Sequence, residues 1–136
     1  MPIEVEMVLR LLLAAALGAI IGFQRERVKK PAGLRTHILI CLGSALFTVV
    51  SIYGFGSTGV DASRVAAAVV TGIGFLGAGA IIHPRSGGIV AGLTTAASIW
   101  TAAAIGLAAG TGMYLIATVA TVIALIVLLL PHPRFQ

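Results

Sequence analysis

Val5-Glu6-Met7-Val8-Leu9-Arg10-Leu11-Leu12-Leu13-Ala14-Ala15-Ala16-Leu17-Gly18-Ala19-Ile20-Ile21-Gly22-Phe23 is followed at once by Gln24-Arg25-Glu26-Arg27-Val28-Lys29-Lys30. The first stretch is close to the ~20 apolar residues that a helix needs to cross the hydrocarbon layer of a bilayer. The second is dominated by cations. A span that ends in a block of basic charge is the pattern of a membrane helix whose basic end lies in the cytoplasm. The residues before it, Met1-Pro2-Ile3-Glu4-Val5-Glu6, are acidic where a secretory leader would be basic. The segment is therefore expected to be a retained helix.

Four similar apolar runs follow: Thr36 to Tyr53, Val65 to Ile82, Ile89 to Leu107, and Met113 to Leu130, the last ending at Pro131. Hydrophobic residues make up 59% of the 136 and charged residues only 10%, against about a quarter charged in a soluble domain. So few polar side chains cannot cover a globule in water, and lipid is the solvent the composition fits. Open strands would leave backbone groups unpaired in lipid, and the runs do not alternate as barrel strands do. The expected fold is an all-α, polytopic bundle of five transmembrane helices, forming a single transmembrane domain over residues 1–136.

The net charge is +5. It is concentrated in one short stretch and not spread over a soluble surface, so membrane lipids, and not nucleic acid, are the expected anionic partners. With five crossings, Arg25, Arg27, Lys29, Lys30, Arg35, Arg85 and Arg134 share one side, which is seven of the nine basic residues. Arg10 and Arg64 lie opposite, beside Glu4, Glu6 and Asp61. The bias places the N-terminus outside and the C-terminus in the cytoplasm.

Gly72-Ile73-Gly74-Phe75-Leu76-Gly77 matches the GxGxxG dinucleotide pattern, but no strand precedes it and it sits within a span. Close helix packing is the better account. Gly18 and Gly22 form a GxxxG pair, as do Gly106 and Gly110, and Gly72, Gly74, Gly77 and Gly79 leave the third helix a surface almost free of side chains. Small residues let backbones approach within the bundle or between subunits, and a homo-oligomer, in the first instance a dimer, is expected.

Polar residues are few enough to take singly. Glu6 and Arg10 are four apart with the acid first, so they share a helix face and can pair, with Arg10 near enough to the helix end to snorkel outward. Asp61 fits a helix N-cap and Arg64 an interfacial anchor; a sharper alternative brings Arg10 and Asp61 together in an external vestibule. Glu26, amid Arg25, Arg27, Lys29, Lys30 and Arg35, fits a charge-balanced cap more simply than a contact for a cation or a protein. Thr94, Thr95 and Ser98 cluster at the entry of the fourth span, after Ser86-Gly87-Gly88 and before Trp100. They can bond back to the helix backbone or cap it. A second arrangement has residues 86–93 dipping into the membrane, with the positive end of a helix at Thr94 facing a polar cavity, as in transporters with broken helices. Cys41 is the only cysteine and reads as a buried, inert thiol. His83 has no second ligand at metal spacing, so no metal site and no cofactor are expected. Nothing resembles a nucleophile with its base or a Walker loop, and a catalyst is the class least supported.

Gly18-Ala19-Ile20-Ile21-Gly22-Phe23-Gln24-Arg25-Glu26, Pro31-Ala32-Gly33-Leu34-Arg35-Thr36-His37, Gly72-Ile73-Gly74-Phe75-Leu76-Gly77-Ala78-Gly79 and Gly92-Leu93-Thr94-Thr95-Ala96-Ala97-Ser98-Ile99-Trp100 together resemble the MgtC/SapB family of bacterial inner-membrane proteins. The four blocks agree in order and spacing across essentially the whole chain. The resemblance implies a multi-pass protein linked to adaptation to low magnesium and, in pathogens, to survival inside host cells. Some members of the family are described as inhibitors of the membrane ATP synthase. Two departures stand out: Gln24 replaces a glutamate common in the family, and the chain stops at Gln136 where many members continue into a soluble cytoplasmic domain. The expectation that follows is a non-enzymatic regulator in magnesium homeostasis, acting through helix contacts with itself or another membrane protein. The alternative is an oligomeric ion or solute transporter with a path lined by Thr71, Thr94, Thr95 and Ser98.

Overall fold

The computed structural model describes residues 2–56, 61–81 and 92–131. These form five helices and no strand: α1 (Ile3–Arg27), α2 (Leu34–Tyr53), α3 (Ser63–Ala80), α4 (Leu93–Thr111) and α5 (Tyr114–Leu128). The first four are long and apolar enough to cross a membrane. The fifth has 15 residues, a rise of about 22 Å that falls short of the ~30 Å hydrocarbon layer. Expected and observed helix bounds differ most at two places, and both have local causes.

At the first, α1 runs past Phe23 through Arg27. Its acids Glu4 and Glu6 sit in the first turn and Arg25 and Arg27 in the last, each where the helix dipole favours it. The helix ends as Lys29 takes a left-handed φ of 58° and Lys30 N–H bonds back to Arg25 O at 3.0 Å. Pro31, two residues beyond, cannot continue it. At the second, α4 begins only at Leu93, after Gly92 with φ 92°, so the span expected from Ile89 starts four residues later. It continues to Thr111 because the alanine-rich run does, and Gly112, with φ 89°, stops it. Met113 N–H then reaches Ala108 O at 3.0 Å, the bond that closes a helix end around a left-handed glycine. Residues 86–91, on which the dipping loop would depend, and His83 lie outside the described residues.

α2 lies at the centre, packed against α1 on one side and α4 on the other; α3 packs chiefly on α4, and α5 on α4 and α1. Two glycine pairs make this possible. A Cβ on Gly18 would stand 2.6 Å from His37 O, and one on Gly22 2.8 Å from the Leu34 Cα. On the other side a Cβ on Gly106 would collide with the Cys41 carbonyl, and one on Gly110 would stand 2.8 Å from Ala45 O. The backbone of α2 is thus clasped between the glycines of α1 and those of α4. The core beside them is built of small side chains, Ala14, Cys41, Ala45, Ala102, Ala109 and Ala117, filled out by Leu17, Ile21 and Ile105. Lipid is as apolar as these side chains, so close dispersion contact and interhelical hydrogen bonds hold the helices together. Ser44 Oγ donates to Ala103 O at 2.7 Å and Cys41 Sγ to Ala102 O at 3.0 Å, both from α2 to α4.

α3 is different. Gly77 is its only buried residue, and Val70, Phe75 and Leu76 are exposed, Phe75 over 84% of its surface.

Candidate functional site

The residues buried on α1 are Arg10, Ala14, Leu17, Gly18, Ile21, Gly22 and Arg25. They recur at threes and fours, the period of one helix face. Arg25 therefore continues the stripe of Gly18 and Gly22, and is carried into the bundle at the end that bears the basic loop. It is only 3% exposed. Its Nη2 donates to Thr95 Oγ1 of α4 at 3.1 Å, whereas its Nε is buried with no hydrogen-bond partner among the described residues.

His37, on the first turns of α2, completes the cluster. It is fully buried. Its Nδ1 lies 2.9 Å from Gly33 O, which can only accept, so Nδ1 carries the proton and Nε2 is left as an acceptor in the neutral ring. Ser98 Oγ lies 2.9 Å from that Nε2 and 2.7 Å from Thr95 O, so its single proton has two acceptors. Arg25, Thr95, Ser98 and His37 thereby link α1, α4 and α2 through one polar chain.

Gln24, beside Arg25, faces α5. Its Nε2 donates to Leu128 O at 3.2 Å, where the end of α5 leaves carbonyls without helical partners. Because that carbonyl fixes which atom of the amide is the nitrogen, the atom left over is Oε1, which is buried without a partner among the described residues. A groove of about 640 Å³ opens here, with Gln24, Arg25, Lys30 and Thr94 as its polar lining and Val28, Val127 and Leu130 among its apolar walls. An apolar groove of about 400 Å³ between α4 and α5 shares Thr94, Val127 and Leu128 with it.

The remaining residues singled out from sequence fall elsewhere. Thr71 is exposed on α3 and donates to Ala67 O of its own helix at 3.2 Å. Trp100 is half exposed, with its ring 3.7 Å from where a Cβ on Gly74 would lie. Neither joins Thr95 and Ser98, so the threonines and serine do not form one continuous path in the chain. Thr95 and Ser98 are buried between helices, and Thr94 and Ser98 line the groove between α4 and α5 together. Arg27, Lys29 and Arg35 are exposed and Lys30 half-buried. Glu26 Oε1 accepts from Leu34 N–H at 3.4 Å, which places the carboxylate over the start of α2 as a cap.

At the opposite end Arg10 does not snorkel outward. It is 6% exposed and turns across the bundle, with bonds to Glu6 Oε1 at 3.0 Å, Gly110 O at 3.0 Å and Tyr114 Oη at 3.3 Å. The guanidinium carbon also stands 5.3 Å over the Tyr53 ring. The junction of α4 and α5 offers it Gly110 O and Tyr114 Oη, and Glu6 of its own helix completes the set. Asp61 is exposed and accepts from Ser63 Oγ at 2.6 Å and Ser63 N–H at 3.0 Å. Those bonds, aided by the Arg64 charge, hold its carboxyl below the usual range. Among the described residues the ion pair of Arg10 is with Glu6 and not with Asp61. Among the described residues no three His, Cys, Asp or Glu side chains come together as a metal site.

His37 and the burial of Arg25 are what the sequence reading missed. The signal was present, because Arg25 stands seven residues after Gly18 and three after Gly22.

Similarity to known proteins bears on what this arrangement serves. The model of the MgtC family matches residues 11–134. A protein of Escherichia coli (strain K12) with the name "Putative magnesium transporter YhiD" is 51% identical over 133 residues, covering 93% of this chain and 61% of that protein. "Protein MgtC" of Brucella abortus is 45% identical over 123 residues, 90% of this chain and 50% of its own length. "Protein SapB" of Bacillus subtilis is 42% identical over 118 residues, 82% of this chain and 50% of its own. The chain thus spans between half and three fifths of these relatives. No solved structure matches it.

Proposed function

We propose, on the premise that this chain belongs to the MgtC family, that it is a non-enzymatic protein of the bacterial inner membrane serving magnesium homeostasis as a regulator. It acts by docking α3 against another membrane protein or a second copy of itself.

The observation that carries this reading is the state of α3. Between α2 and α3 runs an apolar groove of about 570 Å³, lined by Gly43 and Gly72 among others. A Cβ on Gly43, Gly72 or Gly79 would meet nothing within 4 Å. The glycines of α1 and α4 are used up inside the bundle, whereas these leave bare backbone facing outward. Bare backbone packs poorly against lipid chains and well against a second helix that approaches closely. The family resemblance makes the membrane ATP synthase the first partner to try.

Leucine at Gly72 or Gly79 has room within the chain, so the fold should persist while the docking surface is filled. Both variants are expected to lose association in detergent and in membranes, and to lose support of growth at low magnesium. Unchanged association and growth would contradict the proposal.

The name of the Escherichia coli relative favours a second reading, transport of magnesium. Thr95 and Ser98 are bonded into the interhelical chain and Thr71 lies on another face, so a path would have to form between subunits. Magnesium flux into proteoliposomes that depends on the protein would replace the regulator reading with this one.

A further inference from the structure

We infer that the groove at Arg25 is a binding site for an anionic glycerophospholipid whose headgroup carries a free hydroxyl, such as phosphatidylglycerol. This inference rests on residues separate from the α3 surface and stands or falls without it.

The starting point is charge. Arg25 is 3% exposed with its Nε buried and unpartnered among the described residues. Removing a cation from water without a counter-charge is strongly unfavourable, so the place to look is the carboxylates. The chain has four on its side chains, and none of these serves Arg25. Glu6 pairs with Arg10, Asp61 is held by Ser63, and Glu26 turns to Leu34 N–H. Glu4 lies in the first turn of α1, at the far end of that helix. No side-chain carboxylate of the chain therefore offsets the Arg25 charge, which points to an anion bound from outside.

The surroundings say what kind. Lys30 lines the same groove and adds a second cation. Thr94, also in its lining, stands in the first turn of α4, which begins after Gly92, and helix N-termini favour anions. Two cations and a helix start suit a phosphate. The buried Oε1 of Gln24, unpartnered among the described residues, asks for a donor instead, which a bare phosphodiester lacks and a headgroup hydroxyl supplies. The apolar walls decide between lipid and free phosphate. Val28, Val127 and Leu130 flank the polar atoms, and the adjoining groove between α4 and α5 continues past Ile21 and Ile123. A phosphate ion would leave that surface without use, whereas an acyl chain fits it. The basic loop places the whole site where headgroups lie.

Native mass spectrometry of the full chain, released from detergent mixed with equal phosphatidylglycerol and phosphatidylcholine, reads the site. One phosphatidylglycerol is expected to remain per chain. Arg25→Gln should retain it about tenfold less well, while Arg27→Gln, which removes an exposed cation from the same last turn of α1, should retain it as the unaltered chain does. Lys30→Gln, at a loop position away from the core, should weaken retention too, and serves if Arg25→Gln does not fold. A third arm adds inorganic phosphate: failure of millimolar phosphate to displace the lipid supports a lipid site, and displacement with loss of lipid selectivity overturns the lipid assignment in favour of free phosphate. Equal retention of the two lipids, or equal losses from Arg25→Gln and Arg27→Gln, would overturn the site itself.

Discussion

Arg10 and Arg25 are the two buried arginines of α1, and they are in opposite circumstances. Arg10 has a carboxylate, a carbonyl and a phenol around it; among the described residues Arg25 has a single hydroxyl. Truncating Arg10 leaves Gly110 O buried without its donor, which costs about 2 kcal/mol. Arg10→Gln is therefore expected to lower stability by about that much in SDS titration. Glu6 is partly exposed, with 35% of its side chain accessible, so Glu6→Gln should cost under about 1 kcal/mol. Equal losses would show that the ion pair, and not the reach across to α4, is what Arg10 contributes. The sequence made the Glu6–Arg10 pairing legible through the spacing of four. It could not show where the remaining donors of Arg10 go, because Gly110 and Tyr114 are about a hundred residues away.

The helices show the same division between local and distant information. Five apolar runs are enough to yield five helices, and Pro31 and Gly112 punctuate two of them. Which glycines are enclosed is another matter. α3 carries the denser set, Gly72, Gly74, Gly77 and Gly79, yet two of these four would meet nothing within 4 Å if given a Cβ. The sparser pairs on α1 and α4 are the ones closed on α2. Spacing fixes a face of a helix, and only the neighbour's position says what that face meets. The contrast is measurable. Gly106→Ala forces a methyl group into the Cys41 carbonyl and should destabilise the bundle by about 1–3 kcal/mol, while Gly72→Ala should leave stability unchanged. If both were silent in the same unfolding titration, the clasp around α2 would be wrong.

Taken together, the helices form a bundle with one polar chain at its basic end, an arginine clamp at the other, and one helix, α3, left with open glycines. The all-helical class and the family were legible because both are written in long runs and in four blocks of residues. The candidate site was half legible. Thr95 and Ser98 stood out as hydroxyls in an apolar segment, whereas Arg25 was hidden among the cations beside it, since burial is decided by where α1 meets the start of α4. His37 was hidden for the same reason, at the entrance of an unremarkable apolar run.

If α3 is the docking surface, its outward side chains differ in kind from equally exposed ones elsewhere. Phe75 on α3 is 84% exposed and Leu115 on α5 is 74% exposed, so both would face lipid in an isolated chain. A photocrosslinking residue placed at each position, in native membranes at low magnesium, separates them. Position 75 should give a discrete protein–protein adduct that Gly72→Leu abolishes, and position 115 should give none. Adducts of equal yield at both positions, or at neither, would contradict the proposal that this chain works through α3.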